Sequence, residues 1–415
     1  MTLSAQKLDS AIHELAYETI QPGAPTAGSD PLLSRLREMG SEVWVDTGEL
    51  EKAQAIWKSE MTALTTNNTL ANQVVQSGVM DDVIRDVVAS LEEVAPDLSL
   101  EERVMEVGFV INCKIALRLV QAFKTKVSVE LHPAISYDLE RTLYYARRYY
   151  KVCPEYFIVK IPLTPEGLLA VRTLRKERLP INFTLGFSAR QNYISARLSN
   201  PDFVNVFLGR LNQTTIDNNA GSGEWVGEKA TLSTQSVLRQ IRDKFPEVST
   251  RLIGASVRSG EQVACLAGLD VLTIPPKALD EFLNSGKSPE ELQDRANTEI
   301  APGLDAGNEQ AGRFDCAWEV SKDFEGFVSD LLKKDDLDNM SGDGLRAFCK
   351  ERGSDLFYEF SPAEQEKIRS HGKIPKLSDW PAHIPLDDLL TQSALQSFTK
   401  DQSALDSRLR SFLDK

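Results

Sequence analysis

No apolar run in this 415-residue chain approaches the ~18 residues that a membrane-spanning helix needs. No secretory leader is expected either. Lys7, Asp9, Glu14 and Glu18 interrupt the stretch from Met1 to Ile20, where a leader would hold an unbroken apolar core. The expectation is a cytoplasmic protein with no membrane partner. Cysteine is scarce: Cys113, Cys153, Cys265, Cys316 and Cys349 are far apart and form no C-x-x-C pair, which reads as reduced, mostly buried thiols. His13, His132, His371 and His383 show no metal-ligand spacing, so no metal site is expected. A G-x-G-x-x-G is absent, which removes the dinucleotide-binding version of an open α/β sheet. Basic residues are in deficit as well, 47 against 61 acidic, for a net charge of −14. That excess repels phosphate backbones at long range and argues against a nucleic-acid partner. Any anionic ligand must be held by a few locally placed Arg or Lys side chains.

What is present describes an ordinary folded chain, with 41% hydrophobic and 26% charged residues. Its length fits two or three domains, or one large barrel with additions. Residues 1–40 read as a helical entry segment. A helix over 8–20 precedes a Pro/Gly break at 21–25 (Gln21-Pro22-Gly23-Ala24-Pro25), and a second helix covers 31–39. Short β-rich runs then alternate with helical stretches. The candidate strands are 42–46, 63–67, 126–130, 157–161, 181–185, 203–208, 251–257 and 271–274. Helices are expected over 168–178 between strands and over 276–283 after the last of them. Alternating β and α predicts a parallel sheet, and eight repeats over residues 41–320 fit a (β/α)8 TIM barrel, an α/β fold. A doubly wound open sheet is the main competitor.

Residues 321–392 break the rhythm as a helical addition, and 393–415 hold a last helix. A helix is expected over 315–333. Ser361-Pro362-Ala363-Glu364 combines an N-cap Ser, a Pro at the first helical position and a Glu at the third, which starts a helix over 363–370. Pro375, Pro381 and Pro385 then punctuate the chain. The final helix, 393–413, carries Leu395, Phe398, Leu405, Leu409 and Phe412 as one stripe that packs on the barrel.

The polar residues inside the strands are the informative ones. In Ile181-Asn182-Phe183-Thr184-Leu185 the two-residue period puts Asn182 and Thr184 on one face. Lys160 lies within Phe157-Ile158-Val159-Lys160-Ile161, while Val127-Ser128-Val129-Glu130 and Val43-Trp44-Val45-Asp46 both end on carboxylates. A buried amine is costly unless paired or neutral, and a neutral amine is what Schiff-base formation with a carbonyl requires. Carboxylates at neighbouring strand ends supply the acid/base groups for that chemistry. Taken singly, Lys160 reads as a strand-end lysine reaching solvent, and Glu130 or Asp46 as caps of following helices. Their delivery to one end of a barrel favours an active site.

At these residues the sequence resembles the transaldolase family, cofactor-free class I (Schiff-base) aldolases on an α/β barrel. Val45-Asp46-Thr47-Gly48 with Thr65-Thr66-Asn67 is similar to the first two strands, and Val127-Ser128-Val129-Glu130 with Ser136-Tyr137-Asp138 to the third. Val159-Lys160-Ile161-Pro162 with Thr164-Pro165-Glu166-Gly167 resembles the strand bearing the Schiff-base lysine. Ile181 to Leu185 with Phe187-Ser188, Phe207-Leu208-Gly209-Arg210, Gly254-Ala255-Ser256-Val257-Arg258 and Leu266 to Asp270 with Leu272-Thr273-Ile274 continue the circuit. Phe398, Asp401, Gln402 and Leu405 resemble the C-terminal helix. The likeness spans about residues 30–320 and 393–413.

The resemblance implies a catalytic set of Lys160, Asp46, Glu130 and Thr184. Lys160 attacks a ketose carbonyl, Asp46 moves the C4 hydroxyl proton, and Glu130 and Thr184 hold a water. It implies a substrate-binding set of Thr65, Asn67, Asn182, Asn205, Phe207, Arg210, Ser256 and Arg258. Within that set Asn67 and Asn182 bind a dihydroxyacetone unit, and Arg210, Ser256 and Arg258 bind a phosphate. It implies sugar-phosphate substrates, no cofactor, a role in the pentose phosphate pathway and, as a candidate assembly, a homodimer. Phe207, where aldolase relatives usually carry Tyr, favours transfer over release of free dihydroxyacetone. Three departures stand out. Asn205 replaces the family's usual Ser, Asn67-Asn68-Thr69 replaces Asn-Pro-Ser, and an insertion spans about residues 325–390. The insertion reads as a helical decoration or as a lid anchored by Phe357, Tyr358 and Phe360. An altered donor, or a barrel that binds sugar phosphates or a protein without turnover, remains the alternative.

Overall fold

The computed structural model describes residues 3–23 and 27–414, and the part of the predicted break at Ala24 and Pro25 lies outside them. Eight strands, β1 (Glu42–Asp46), β2 (Met61–Thr65), β3 (Lys126–Glu130), β4 (Phe157–Pro162), β5 (Ile181–Thr184), β6 (Phe203–Phe207), β7 (Arg251–Ala255) and β8 (Val271–Ile274), close into one barrel. They follow sequence order and every neighbour is parallel, from β1–β2 around to β8–β1. This is the (β/α)8 TIM barrel that the alternation predicts, and it excludes the open sheet.

Strands covered on both faces must be apolar nearly throughout, which is why β4 is buried at all six positions. A polar side chain in such a run has only the barrel interior to face. The strand boundaries depart from expectation where a side chain prefers a different task. β2 begins at Met61 and ends at Thr65, because Asn67 leaves the strand to cap the helix Asn68–Gln76, accepting from Leu70 N–H at 2.9 Å. β6 stops at Phe207, and Leu208 opens the next helix. β5 and β7 stop before Leu185 and Ser256, whose positive φ values of 67° and 63° cannot continue a strand.

The entry helix is Leu3–Ala16 and does not reach residue 20. Its extension would run through β-branched Thr19 and Ile20 toward Pro22, all poor helix continuations. The second is Pro31–Glu38, capped by Asp30. The single helix expected over 315–333 is instead a 3-10 turn, Ala311–Ala317, and a helix, Lys322–Leu331, because Ser321 caps Phe324 N–H and starts afresh. The last helix is longer than expected, Leu386–Leu413, since Pro385 stands just before its first turn rather than inside it. None of the described helices is long and apolar enough to cross a membrane.

The added helices, Lys322–Leu331, Gly342–Glu351 and Pro362–His371, lie against the outside of the barrel. Arg346 bonds Glu166 at 2.8 and 3.0 Å, at the start of the helix after β4. Arg172 and Lys176 of that helix meet Asp338. Gly342 leaves room for the Glu166 carboxylate, which would have to shift if a Cβ stood there. Phe357, Phe360 and Trp380 are buried in a local core that Tyr358 edges. Arg190, after β5, grips Asp387 of the last helix through two bonds of 2.8 Å, so both ends of the addition are tied to the barrel.

Candidate active site

Parallel pairing sets the site's geometry. Glu130 on β3 is level with Lys160 on β4, and Lys160 is level with Asn182 on β5. On the far side Asp46 of β1 is level with Thr65 of β2. The Lys160 amine lies 3.1 Å from Glu130 Oε2 and donates to the Thr66 carbonyl at 3.1 Å. Lys160 is thus a buried, paired lysine, not one reaching solvent. Thr65 Oγ1 donates to Asp46 at 2.6 Å and also contacts Thr273 Oγ1 at 2.6 Å.

Burial pushes the Asp46 carboxyl above its ordinary range, with the Lys160 charge and the Thr65 hydroxyl pulling the other way. Burial raises Glu130 as well. Lys160 opposes that shift, and the Asp46 charge adds to it. Two carboxyls that hold protons more firmly than usual, one beside the amine and one across from it, are suited to proton transfer near neutral pH.

A cavity of about 220 Å³ opens above this pair at the strands' C-terminal ends. Asp46, Thr65, Asn67 and Lys160 line its inner part, and Asn182, Asn205 and Phe207 form one wall. Asn182 donates to Ser128 Oγ at 3.0 Å and accepts from Asn205 Nδ2 at 3.4 Å. The larger amide at 205 is therefore tied to Asn182, while its buried Oδ1 has no protein partner. The Asn67 carbonyl is spent on the helix cap, which leaves its NH2 to the cavity. Phe207 is an apolar wall, held edge-on by Phe187 at 5.7 Å.

Arg210, Ser256 and Arg258 meet at the opposite end. Arg210 sits in the first turn of the helix Leu208–Asp217, where backbone N–H groups also favour an anion. Neighbouring Gly209 permits the approach, since a Cβ there would strike the Ser256 carbonyl and the Arg258 side chain. Among the described residues neither arginine has an acidic ion-pair partner, and Arg210 Nη1 is buried without a hydrogen bond. Burial, then the repulsion of Arg258, pulls Arg210 down to about 10 against the attraction of Asp401. A buried cation with no counterion is expensive unless a ligand supplies one.

The cavity wall thus gathers Asp46, Lys160 and all eight residues of the expected substrate-binding set. It does not include Glu130 or Thr184. Glu130 touches Lys160 from outside the wall, and Thr184, level with Pro162, is fully buried with an unpartnered hydroxyl. Sequence reasoning passed over Thr273, Ser397, Phe398 and Lys373 as lining residues. Thr273 carried a signal as the one polar residue of β8. Lys373, from the added helices, carried none.

The chain matches the sequence profile of the transaldolase/fructose-6-phosphate aldolase family over residues 43–332. A transaldolase of Acidobacterium capsulatum is 31% identical over 291 residues, covering 67% of this chain and 82% of that protein. One of Methylococcus capsulatus is 30% identical over 273 residues, 64% of this chain and 81% of its own length. One of Chlamydia caviae is 28% identical over 251 residues, with coverages of 59% and 74%. With the barrel, the buried lysine–glutamate pair and a cavity of this make-up, the chain belongs to the transaldolase/fructose-6-phosphate aldolase family and is an enzyme of the transaldolase/aldolase type.

Proposed function

We propose that this enzyme moves a dihydroxyacetone unit from a ketose phosphate, fructose 6-phosphate or sedoheptulose 7-phosphate, to an aldose phosphate through a Schiff base on Lys160. The acceptor is erythrose 4-phosphate or glyceraldehyde 3-phosphate, a reaction of the pentose phosphate pathway. The observation carrying this reading is that the Lys160 amine and the unpaired Arg210 guanidinium line one cavity.

Lys160 gives a proton to Glu130, 3.1 Å away, and its neutral nitrogen attacks the ketose C2 carbonyl. The carbinolamine loses water, which Glu130 and Thr184 hold with the polar atoms they leave unpartnered in the fold. Asp46 then takes the C4 hydroxyl proton. The C3–C4 bond breaks, its electrons pass to the iminium, and an aldose phosphate departs. Phe207 offers no hydroxyl to orient a water, so the enamine on Lys160 persists until C3 attacks an acceptor aldehyde. Asp46 returns its proton to the new hydroxyl, and hydrolysis frees Lys160. The Asn205–Asn182 bond supports a second reading, a donor whose terminal hydroxyl is gripped differently from the family's usual one.

Borohydride trapping with fructose 6-phosphate, followed by peptide mass spectrometry, tests the assignment. A three-carbon adduct on Lys160 is expected, and an unmodified Lys160 in folded protein refutes it. Asp46 adds a pH prediction. Because burial raises its carboxyl, the acid limb of kcat lies above the ordinary carboxylate range. Asp46→Asn lowers kcat by about 10²–10⁴. The folded state binds the Asp46 proton more tightly than the unfolded chain, so this group costs stability as pH rises through that window. Asp46→Asn is therefore expected to flatten the fall in Tm as pH rises above the ordinary carboxylate range, measured by calorimetry.

A further inference from the structure

The family match ends at residue 332, yet the addition beyond it returns to the cavity. The helix Pro362–His371 stops at Gly372, whose φ of 76° turns the chain. The amide of Asn218 then clips the following loop, donating to the Pro375 carbonyl at 3.0 Å and accepting from Leu377 N–H at 2.6 Å. Asn218 ends the helix whose first turn bears Arg210. The loop is thus fastened to the element that carries the phosphate-site arginine, and Lys373 lines the cavity with Arg210 and Arg258.

Lys373 is exposed, and among the described residues it has no hydrogen-bond or ion-pair partner. The nearby acids are engaged: Glu366 holds Arg369, Asp379 holds His371 and Lys376, and Asp401 accepts from Thr69. A second cavity, of about 670 Å³, shares Lys373 and Ser397 with the first and adds Arg369 and Lys400, with Asp401 its one carboxylate. In a chain of net charge −14, three cations with no acidic ion-pair partner among the described residues (Arg210, Arg258 and Lys373) line a single cavity. Such a collar concentrates anions and focuses their approach. A lysine that faces only bulk solvent would not share a wall with two unpaired arginines.

We propose that Lys373 is a specificity-determining residue that extends the phosphate site outward and favours longer ketose phosphates. The inference rests on the function proposed above. With C2 fixed on Lys160, each added carbon moves the phosphate from the arginines toward the mouth, where the Lys373 ammonium can bond it. Recognition of the sugar end is untouched by this residue, so its effect falls on binding and not on bond cleavage.

The test compares Lys373→Ala and Lys373→Arg with the parent enzyme on sedoheptulose 7-phosphate, fructose 6-phosphate and unphosphorylated fructose. Lys373→Ala is expected to raise KM about tenfold for the seven-carbon and about threefold for the six-carbon phosphate. Its kcat stays within about twofold, fructose is unaffected, and Lys373→Arg restores most of the loss. An equal fold-rise in KM for both phosphates in Lys373→Ala, or no rise for either, overturns the proposal, and an equal rise with fructose overturns it too. Calorimetric titration with inorganic phosphate separates the two layers. If the parent enzyme forms no adduct with either ketose phosphate, the proposed function fails. Weaker phosphate binding by Lys373→Ala then still upholds the anion subsite, and unchanged binding removes it.

Discussion

Lys160→Met is expected to abolish turnover, lowering kcat by about 10⁴ or more, and to eliminate the borohydride adduct. Methionine keeps the length and apolar stem of lysine, so the cavity retains its shape and loses only the amine. A barrel that merely binds its ligand would keep that affinity in the variant, which separates an enzyme from a binding protein. The stability signature is as informative as the activity. Glu130 loses the cation 3.1 Å away, and Asp46 loses the charge that offsets its burial. Both carboxyls then rise further, and the folded state holds their protons more tightly than the unfolded chain does. By linkage the cost is small near pH 5 and grows with pH. At pH 8.5 the variant is expected to be about 3 kcal/mol less stable than the parent, the scale of breaking a buried ion pair. A variant equally stable at both pH values would mean that Glu130 does not depend on Lys160.

Arg210→Ala is expected to raise KM for fructose 6-phosphate about 100-fold while the unliganded protein stays as stable or becomes more so. These opposite signs follow from one fact. Arg210 is buried with an idle Nη1 and a neighbouring positive charge, so the fold loses little with it, while a phosphate loses its best-desolvated donor. Thermal shift with inorganic phosphate reads both: Tm of the parent climbs with phosphate, and Tm of Arg210→Ala does not. Lysine is expected to restore only part of the affinity, because a point charge cannot bond two oxygens in a fork. A marked loss of stability without ligand would show that Arg210 serves the fold instead.

The barrel was legible because strands buried on both faces leave few positions for polar side chains, so Asp46, Lys160 and Asn182 stand out against apolar neighbours. Period and register then bring them together without further information. What sequence patterning misplaced were choices between equivalent local structures. Thr66 and Asn67 extend β2 by propensity, but the Asn67 side chain is worth more as a cap. Pro385 reads as a breaker, yet it stands where a helix begins. Glu130 and Thr184, which the resemblance assigns to holding a water, lie off the cavity wall, with Glu130 3.1 Å from the Lys160 amine. Lys373 had no local signal, because its place depends on how an exterior addition is fastened to a helix far away in sequence.

The 28-residue helix Leu386–Leu413 is about 42 Å long and is stitched across the barrel's open end. Thr391 holds the Leu185 carbonyl after β5, Gln392 accepts from Tyr137 after β3, and Gln402 accepts from Asn68 after β2. Ser397 and Phe398 on this rod supply the outer wall of the cavity. Every strand leaves the ribosome before this rod does, with a delay on the order of ten seconds at bacterial elongation rates. A nascent chain therefore carries all eight strands and Lys160 well before it carries this wall of the cavity. A product lacking the last helix would keep every strand and lose the part of the cavity wall that Ser397 and Phe398 supply. The cavity is thus completed by a segment that is made after all eight strands and contributes none of them.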